Sequence, residues 1–299
     1  MTSYTIRIES LDQEVQCRED QNILDACLRN GIWLPHACGH GTCGTCKSDV
    51  LDGEVNHNDA SDFALMEYER NEGKTLPCVA TPKSDVVLDA DVEAEEGVTM
   101  YPVRDYQGTV TAIEDCARDT RRLIIDLDNE IQFNAGQYVQ VTLPNTDGEF
   151  RSWSIASCPS KPSQIELAIR NTPGGKGTEG WIFKDLKEGD QINIAGPYGR
   201  FFVRTAKDKP MIMIGGGTGL SPLKSMVDHV LQADTGQTMY LYHGVRGEAD
   251  LYDVEYFRNL EAEHEDQFFY RPCLSEEDGV EGTSFGLVTD VIDGDFKTL

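Results

Sequence analysis

Hydrophobic and polar residues alternate through Tyr4–Ile8, the period of a strand with one buried face. The period then lengthens, and Ile23–Asn30 predicts a short helix with Gly31 placed to end it. A loop rich in glycine and cysteine runs from Cys38 to Cys46, and Ser61–Asn71 predicts a second helix ahead of the isolated Cys78. The segment closes on the acidic stretch DADVEAEEG, which reads as a linker. From 101 to 205 the texture is that of short strands. GTVTAI, RRLIIDL, QYVQVTL, RSWSIAS, QIELAIR and QINIAG are separated by Gly, Pro, Asn and Asp, a spacing that predicts an antiparallel barrel.

The pattern changes again at 206. PMIMI is a continuous apolar run and predicts a buried parallel strand. It leads into GGGTGLSP and a helical stretch, Pro222–Leu231. A strand at Met239–Tyr242, a helix at Val254–His264 and a strand at Gln267–Tyr270 follow, and this alternation predicts a doubly wound α/β domain. The chain is therefore expected to be multidomain, with segments 1–98, 101–205 and 206–299. Its 299 residues suffice for two or three domains.

Composition narrows the class. Hydrophobic content of 39% and charged content of 26% are those of a soluble globular protein. No apolar run approaches the roughly 18 residues of a membrane helix. The N-terminus lacks the basic start and apolar core of a secretion signal, so a cytoplasmic protein is expected. The net charge is −26, and residues 1–100 hold 7 Lys/Arg against 20 Asp/Glu. Such a field repels nucleic acid and anionic lipid and favours a partner with a basic patch, unless it is only a solvated surface.

The 9 cysteines are odd in number, and four of them form a pattern. Cys38, Cys43 and Cys46 have the spacing C-x4-C-x2-C, with Cys78 downstream, which is the plant-type [2Fe–2S] ligand spacing. Three thiolates reach two irons from one loop, and the fourth closes the cage from elsewhere. Gly39, Gly41 and Gly44 let that loop wrap tightly and bring backbone N–H groups to the sulfurs. A zinc site would pair two short C-x2-C units instead. The first segment resembles a plant-type ferredoxin, an α+β (β-grasp) domain. Cys27, four residues after Ile23, is expected to be a buried core thiol.

Two further constellations suit dinucleotides. Arg151-Ser152-Trp153-Ser154 lies on a candidate barrel strand, and Gly174, Gly175, Lys176, Gly177 and Thr178 follow one hairpin later, ahead of a short helical run. Bare backbone N–H groups there suit a phosphate, Arg151 and Arg170 add charge, and Trp153 offers a flat face. Gly215-Gly216-Gly217-Thr218-Gly219 leaves a strand and opens a helix, the context of a dinucleotide phosphate loop.

The order of these parts resembles the ferredoxin–NADP⁺ reductase superfamily, and in particular the reductase components of bacterial multicomponent oxygenases, along the whole chain. The resemblance implies an antiparallel β-barrel FAD domain and an α/β nucleotide-binding domain. From the family's Arg-x-Tyr-Ser motif it implies that Arg151 meets the FAD pyrophosphate, Trp153 packs on the flavin and Ser154 approaches the reactive ring nitrogen, with Trp replacing Tyr. From Gly-Gly-x-Gly-x-x-Pro it implies a nicotinamide loop from Gly215 to Pro222. After the second strand, Arg246 is followed by Glu248 and Asp250, and carboxylates there favour NADH over NADPH. The implied function is electron transfer from NADH through FAD and the [2Fe–2S] cluster to an oxygenase or hydroxylase component. A soluble di-iron monooxygenase is expected as partner, with a Rieske dioxygenase, or a carrier and docking module without an active nicotinamide site, as alternatives. The family's Cys-Gly-x-x-x-Met segment is not found before Leu299, and Cys273 in RPCLS lacks the following Gly. The α/β domain is accordingly expected to be C-terminally incomplete, with a sheet edge and apolar surface exposed.

Overall fold

The computed structural model describes residues 2–92, 98–204 and 209–297. Most of the expected linker, the expected boundary at 205/206 and Leu299 lie outside the described residues. The chain divides into two compact units, Met1–Arg104 and Asp105–Leu299.

In the first unit β1 (Ser3–Ile8) and β2 (Gln13–Arg18) form a hairpin, followed by α1 (Ile23–Arg29) and β3 (Ser48–Asp52). After these come β4 (Val55–Asn56), α2 (Glu67–Asn71), β5 (Lys74–Thr75), β6 (Thr81–Pro82) and β7 (Val86–Asp89). The main sheet has the order β2-β1-β7-β3-β5, with β1 parallel to β7 and the other pairs antiparallel. This mixed sheet with its helix is the expected β-grasp fold. Ile6 and Ile8 are fully buried, as the alternation requires, and α1 turns Ile23, Leu24, Cys27 and Leu28 inward. Cys27 is the core thiol expected, and burial pushes its pKa up.

The second helix is shorter than the periodicity predicts. Residues 62–65 form turns, and Met66 is extended, with φ −67° and ψ 156°, which breaks the helical path there. The Glu69 carboxylate then accepts the Met66 N–H at 2.9 Å and starts the helix at Glu67.

The second unit opens with six strands: β8 (Arg104–Ala117), β9 (Thr120–Leu127), β10 (Tyr138–Thr142), β11 (Phe150–Ser154), β12 (Gln164–Arg170) and β13 (Gln191–Tyr198). Their order is β11-β10-β13-β8-β9-β12, and an antiparallel bridge between Ile155 and Leu167 joins the two ends into a barrel. Its core is aliphatic, centred on Val110, Ile125, Val139, Ile165 and Leu167.

A parallel sheet follows, β14 (Met211–Gly216), β15 (Met239–Val245), β16 (Phe268–Leu274) and β17 (Ser284–Phe285), in that order. It alternates with α3 (Leu220–Gln232), α4 (Val254–Glu263) and α5 (Val288–Asp295). The PMIMI strand is parallel but not buried on both faces. It is the edge strand: Met213 packs inward, while Ile212 and Ile214 are 42% and 55% exposed. An unbroken apolar run cannot tell one covered face from two. β17 and α5 carry no periodic signal long enough to have been expected.

Phe257 anchors α4 to the sheet, fully buried with its ring 5.0 Å from Tyr270 and 6.1 Å from Phe268. Phe257→Ala is expected to cost about 3–5 kcal/mol. Thermal denaturation followed by circular dichroism should show the midpoint of this unit falling by on the order of 10 °C. A midpoint within a degree or two of the parent would show that this contact does not hold the helix.

Candidate functional site

The cluster loop is built on backbone that side chains rarely allow. Gly39, Gly41 and Gly44 have φ of +74°, +77° and +72°. A Cβ on Gly41 would press on Asp59 O and the Val79 methyls at 3.2 Å. The four thiols pair two and two: Cys38 is hydrogen-bonded to Cys43, and Cys46 to Cys78. They do not converge on one point as ligands of a single ion would, and among the described residues no set of three ligand groups does. Two thiolates for each of two irons is the arrangement a [2Fe–2S] cluster needs. Burial raises the Cys38 thiol, yet the backbone N–H groups of His40 and Thr42, with the Cys43 and Thr42 side chains, hold it down at about 6. Those donors favour the thiolate that binds iron. Cys46 and Cys78 are buried, Cys38 is half-buried and Cys43 is exposed, so the site has one edge to solvent.

In the second unit a cavity of about 360 Å³ gathers eight residues expected to serve the flavin. Arg151, Ser152 and Trp153 come from β11, Arg170 from β12, and Gly175, Lys176, Gly177 and Thr178 from the loop after it. Thr218, from the phosphate loop, also reaches this wall. A Cβ on Gly175 would strike Thr178 Oγ1 at 2.5 Å, and one on Gly177 would meet Arg151 Cγ at 2.9 Å. The glycines therefore leave bare backbone beside cationic side chains, a cradle suited to a pyrophosphate. Lys176 Nζ lies 2.9 Å from Glu149 Oε1, and Arg151 lies 3.8 Å from the same carboxylate. Arg170 has no ion-pair partner among the described residues. Ser154 ends β11 opposite Tyr138 and does not line this cavity.

A second cavity of about 470 Å³ opens at the carboxyl ends of the parallel strands. Gly216 and Gly217 line it, joined by Gly244, Arg246, Asp250, Cys273, Ser275 and Leu287. A Cβ on Gly215 would lie 3.0 Å from Leu220 N, so the loop packs tightly on the start of α3. Gly219 precedes that helix, and Pro222 sits in its first turn, where a missing N–H is tolerated. Arg170 lines this cavity as well as the first, and the phosphate loop runs between the two.

Of the carboxylates expected to decide the coenzyme, Asp250 lines this second cavity with Arg246. Asp250 is held by Arg118, with Nε to Oδ1 at 2.9 Å and Nη2 to Oδ2 at 2.5 Å. Burial raises its carboxyl, and Arg118 more than offsets this, keeping it below the usual carboxylate range. A neutralised carboxylate repels a phosphate weakly. The groups at Arg246 come instead from the loop after β16: Glu276 lies 3.7 Å from its Nε, and Glu277 Oε2 accepts the Glu248 N–H at 2.8 Å. Sequence reasoning missed both, although the run SEED was there to be seen. It also missed Arg118, for which a hairpin turn gives no signal.

Residues 6–83 match the 2Fe-2S iron-sulfur cluster binding domain, 107–203 the oxidoreductase FAD-binding domain, and 213–298 the oxidoreductase NAD-binding domain. The phenol hydroxylase P5 protein of Acinetobacter pittii is 45% identical over 273 residues, 91% of this chain and 76% of its own. The chain belongs to the reductase components of multicomponent oxygenases. A reductase subunit of aromatic O-demethylase from Amycolatopsis is 41% identical, across 89% of this chain and 79% of its own. The crystal structure of an Amycolatopsis cytochrome P450 reductase superposes with a TM-score of 0.91 at 38% identity, covering 98% of this chain and 87% of that one. Reductases of this family carry FAD and a [2Fe–2S] cluster and use NADH, and this chain is such an oxidoreductase.

Gly177→Ala should push the Arg151 stem off its seat in the flavin cavity. Loss of one charged contact to a phosphate corresponds to about tenfold weaker FAD binding. Titration of the apoprotein with FAD should show that loss while the cluster's visible absorption is unchanged. Equal affinity would mean that Arg151 does not hold the pyrophosphate.

Proposed function

We propose that this reductase supplies electrons to a soluble di-iron monooxygenase acting on a phenol or a hydrocarbon. The observation that carries the electron route is Arg170, a guanidinium without an ion-pair partner among the described residues that borders both dinucleotide cavities. FAD held there would supply the change from a two-electron hydride donor to a one-electron acceptor. The chain's own part is to bind and orient. In this reading Arg151, Arg170 and Lys176 meet the FAD pyrophosphate with the backbone of Gly175, Gly177 and Thr178. Trp153 covers the ring, with Ser152 and Ser154 beside it. Gly215–Gly219, Pro222 and Arg246 hold NADH, and Cys38, Cys43, Cys46 and Cys78 bind the irons. Domain boundaries at 98/101 and 205/206 belong to the same reading.

The choice of acceptor rests on relatives. Two at 45% and 44% identity are named for phenol hydroxylase and phenol 2-monooxygenase. A cytochrome P450 acceptor is the second reading, favoured by the P450 reductase likeness. Among the described residues no helix is long and apolar enough to cross a membrane, and a cytoplasmic place is part of the proposal. The acidic first 100 residues suit an acceptor with a basic docking patch.

NADH-driven reduction of cytochrome c tests the route. The parent protein should contain two irons and two labile sulfides. Cys46→Ala should lose the cluster and cytochrome c reduction while its flavin is still reduced by NADH. Undiminished cytochrome c reduction by the variant would remove the cluster from the path. Coupling the parent separately to a di-iron hydroxylase and to a P450 then decides the acceptor.

Glu276 and Glu277 are proposed to exclude a 2′-phosphate from the ribose end of the nicotinamide cavity. The double substitution Glu276→Gln/Glu277→Gln should raise kcat/KM for NADPH relative to NADH by about tenfold, the effect of roughly 1.4 kcal/mol. An unchanged ratio would assign coenzyme choice elsewhere.

A further inference from the structure

Two arginines of the β8–β9 hairpin grip one loop of the nucleotide-binding half. In the turn, the Arg118 N–H donates to Ala249 O at 2.8 Å, and its side chain holds Asp250. On β9, Arg122 donates to Asp253 through Nη2, and its Nε lies 2.9 Å from Glu166 Oε1 on β12. Lys224 on α3 completes the set, with Nζ 2.9 Å from Glu166 Oε1 and 3.0 Å from Asp253 Oδ2. The Arg122 Nε–Glu166 and Lys224–Asp253 contacts are charge contacts rather than aligned hydrogen bonds. Side-chain exposures in this quartet are 17%, 14%, 11% and 9% for Arg122, Glu166, Lys224 and Asp253. Two largely buried cations face two largely buried anions, drawn from the barrel on one side and the α/β domain on the other, and Glu114 lies 3.1 Å from Arg122 Nη1 at the exposed edge.

The gripped loop leads directly to the phosphate loop. Asp253 has φ +58°, a conformation that persists only where surroundings impose it. Its neighbour Tyr252 donates from its hydroxyl to Gly217 O at 3.4 Å and meets the buried His243 ring edge-on at 5.4 Å. On the barrel side, Glu166 and Arg170 lie on the same strand four residues apart, and so on the same face. One end of the network therefore reaches the backbone that lines the nicotinamide cavity. The other reaches the strand that ends at the guanidinium shared by both cavities.

We propose that Arg122, Glu166, Lys224 and Asp253, with the outer pair Arg118–Asp250, form a clamp that sets the separation of nicotinamide and flavin. They are positioning residues for hydride transfer. The inference rests on the hydride route proposed above, in which NADH gives up one hydride, two electrons and a proton, and leaves as NAD⁺. None of the four quartet residues lines either cavity, so their effect passes through the placement of the two halves. Removing one buried charge alone would strand its partners and endanger folding. The test therefore removes one of each sign together, Lys224→Met/Asp253→Asn, and separately the barrel-side pair, Arg122→Met/Glu166→Gln, none of which lines a cavity.

The FAD-loaded, cluster-loaded protein is mixed with NADH in a stopped-flow instrument. A displacement of about 1 Å costs about a hundredfold in rate. The limiting rate of flavin reduction is expected to fall by at least about tenfold, with the Kd for NADH and reduction by dithionite unchanged. Hydrogen exchange gives a second readout. Amides of 118–122 and 249–253 should exchange faster in either double variant, while those of β15 and β16 keep their protection. A limiting rate equal to the parent's, or one that falls only in proportion to lost FAD, overturns the clamp. So does exchange that quickens throughout the unit, or at neither segment. If NADH fails to reduce even the parent flavin, the hydride route falls, and the exchange pattern alone decides whether the network joins the two halves.

Discussion

A chain of net charge −26 must hold two pyrophosphates and a cluster bound through thiolates, and all of these are negative. Its 26 basic side chains are outnumbered by 52 acidic ones, so long-range attraction cannot collect its ligands. The binding must be local. The structure meets this constraint chiefly with backbone. Glycines at the cluster loop, at 175 and 177, and at 215–219 strip side chains from segments whose backbone an anion can then approach closely. At Cys38 the effect is visible as a thiol held well below its ordinary range by two backbone donors. Backbone dipoles add no net charge and attract no competing carboxylate, which suits a molecule so rich in acid.

The legible parts of this protein follow from the same chemistry. A thiolate cage or a phosphate cradle needs glycine and cysteine at fixed short spacings, and short spacings survive in a linear reading. Cys38, Cys43 and Cys46, the Gly175–Thr178 turn and the Gly215–Gly219 loop were therefore found where the structure places them. The barrel was legible because each of its strands is bounded by turn residues. Where expectation and structure part, periodicity does not carry the deciding feature. The second helix shortens because Met66 is extended and the Glu69 carboxylate caps a fresh start after it. PMIMI is half exposed because its place in the sheet is at the edge. Arg118, on another domain, holds the Asp250 carboxylate, and no short spacing forecasts that pair.

The treatment of cations completes the picture. Arg118, Arg246 and Lys176 border the cavities, and each already faces a carboxylate: Asp250, Glu276 and Glu149. Such pairs, mostly exposed, contribute little to stability. Their effect falls on binding, because a phosphate must displace or share the carboxylate before it gains the cation. Arg170 alone among these cavity cations has no carboxylate within ion-pair distance among the described residues, and it is also the one that both cavities share. Attraction is thus concentrated at the wall the two cavities share and damped elsewhere. A coenzyme that binds and leaves on every turnover is better served by few strong contacts than by many along its length, since uniform tightness would slow the departure of NAD⁺ without speeding the transfer.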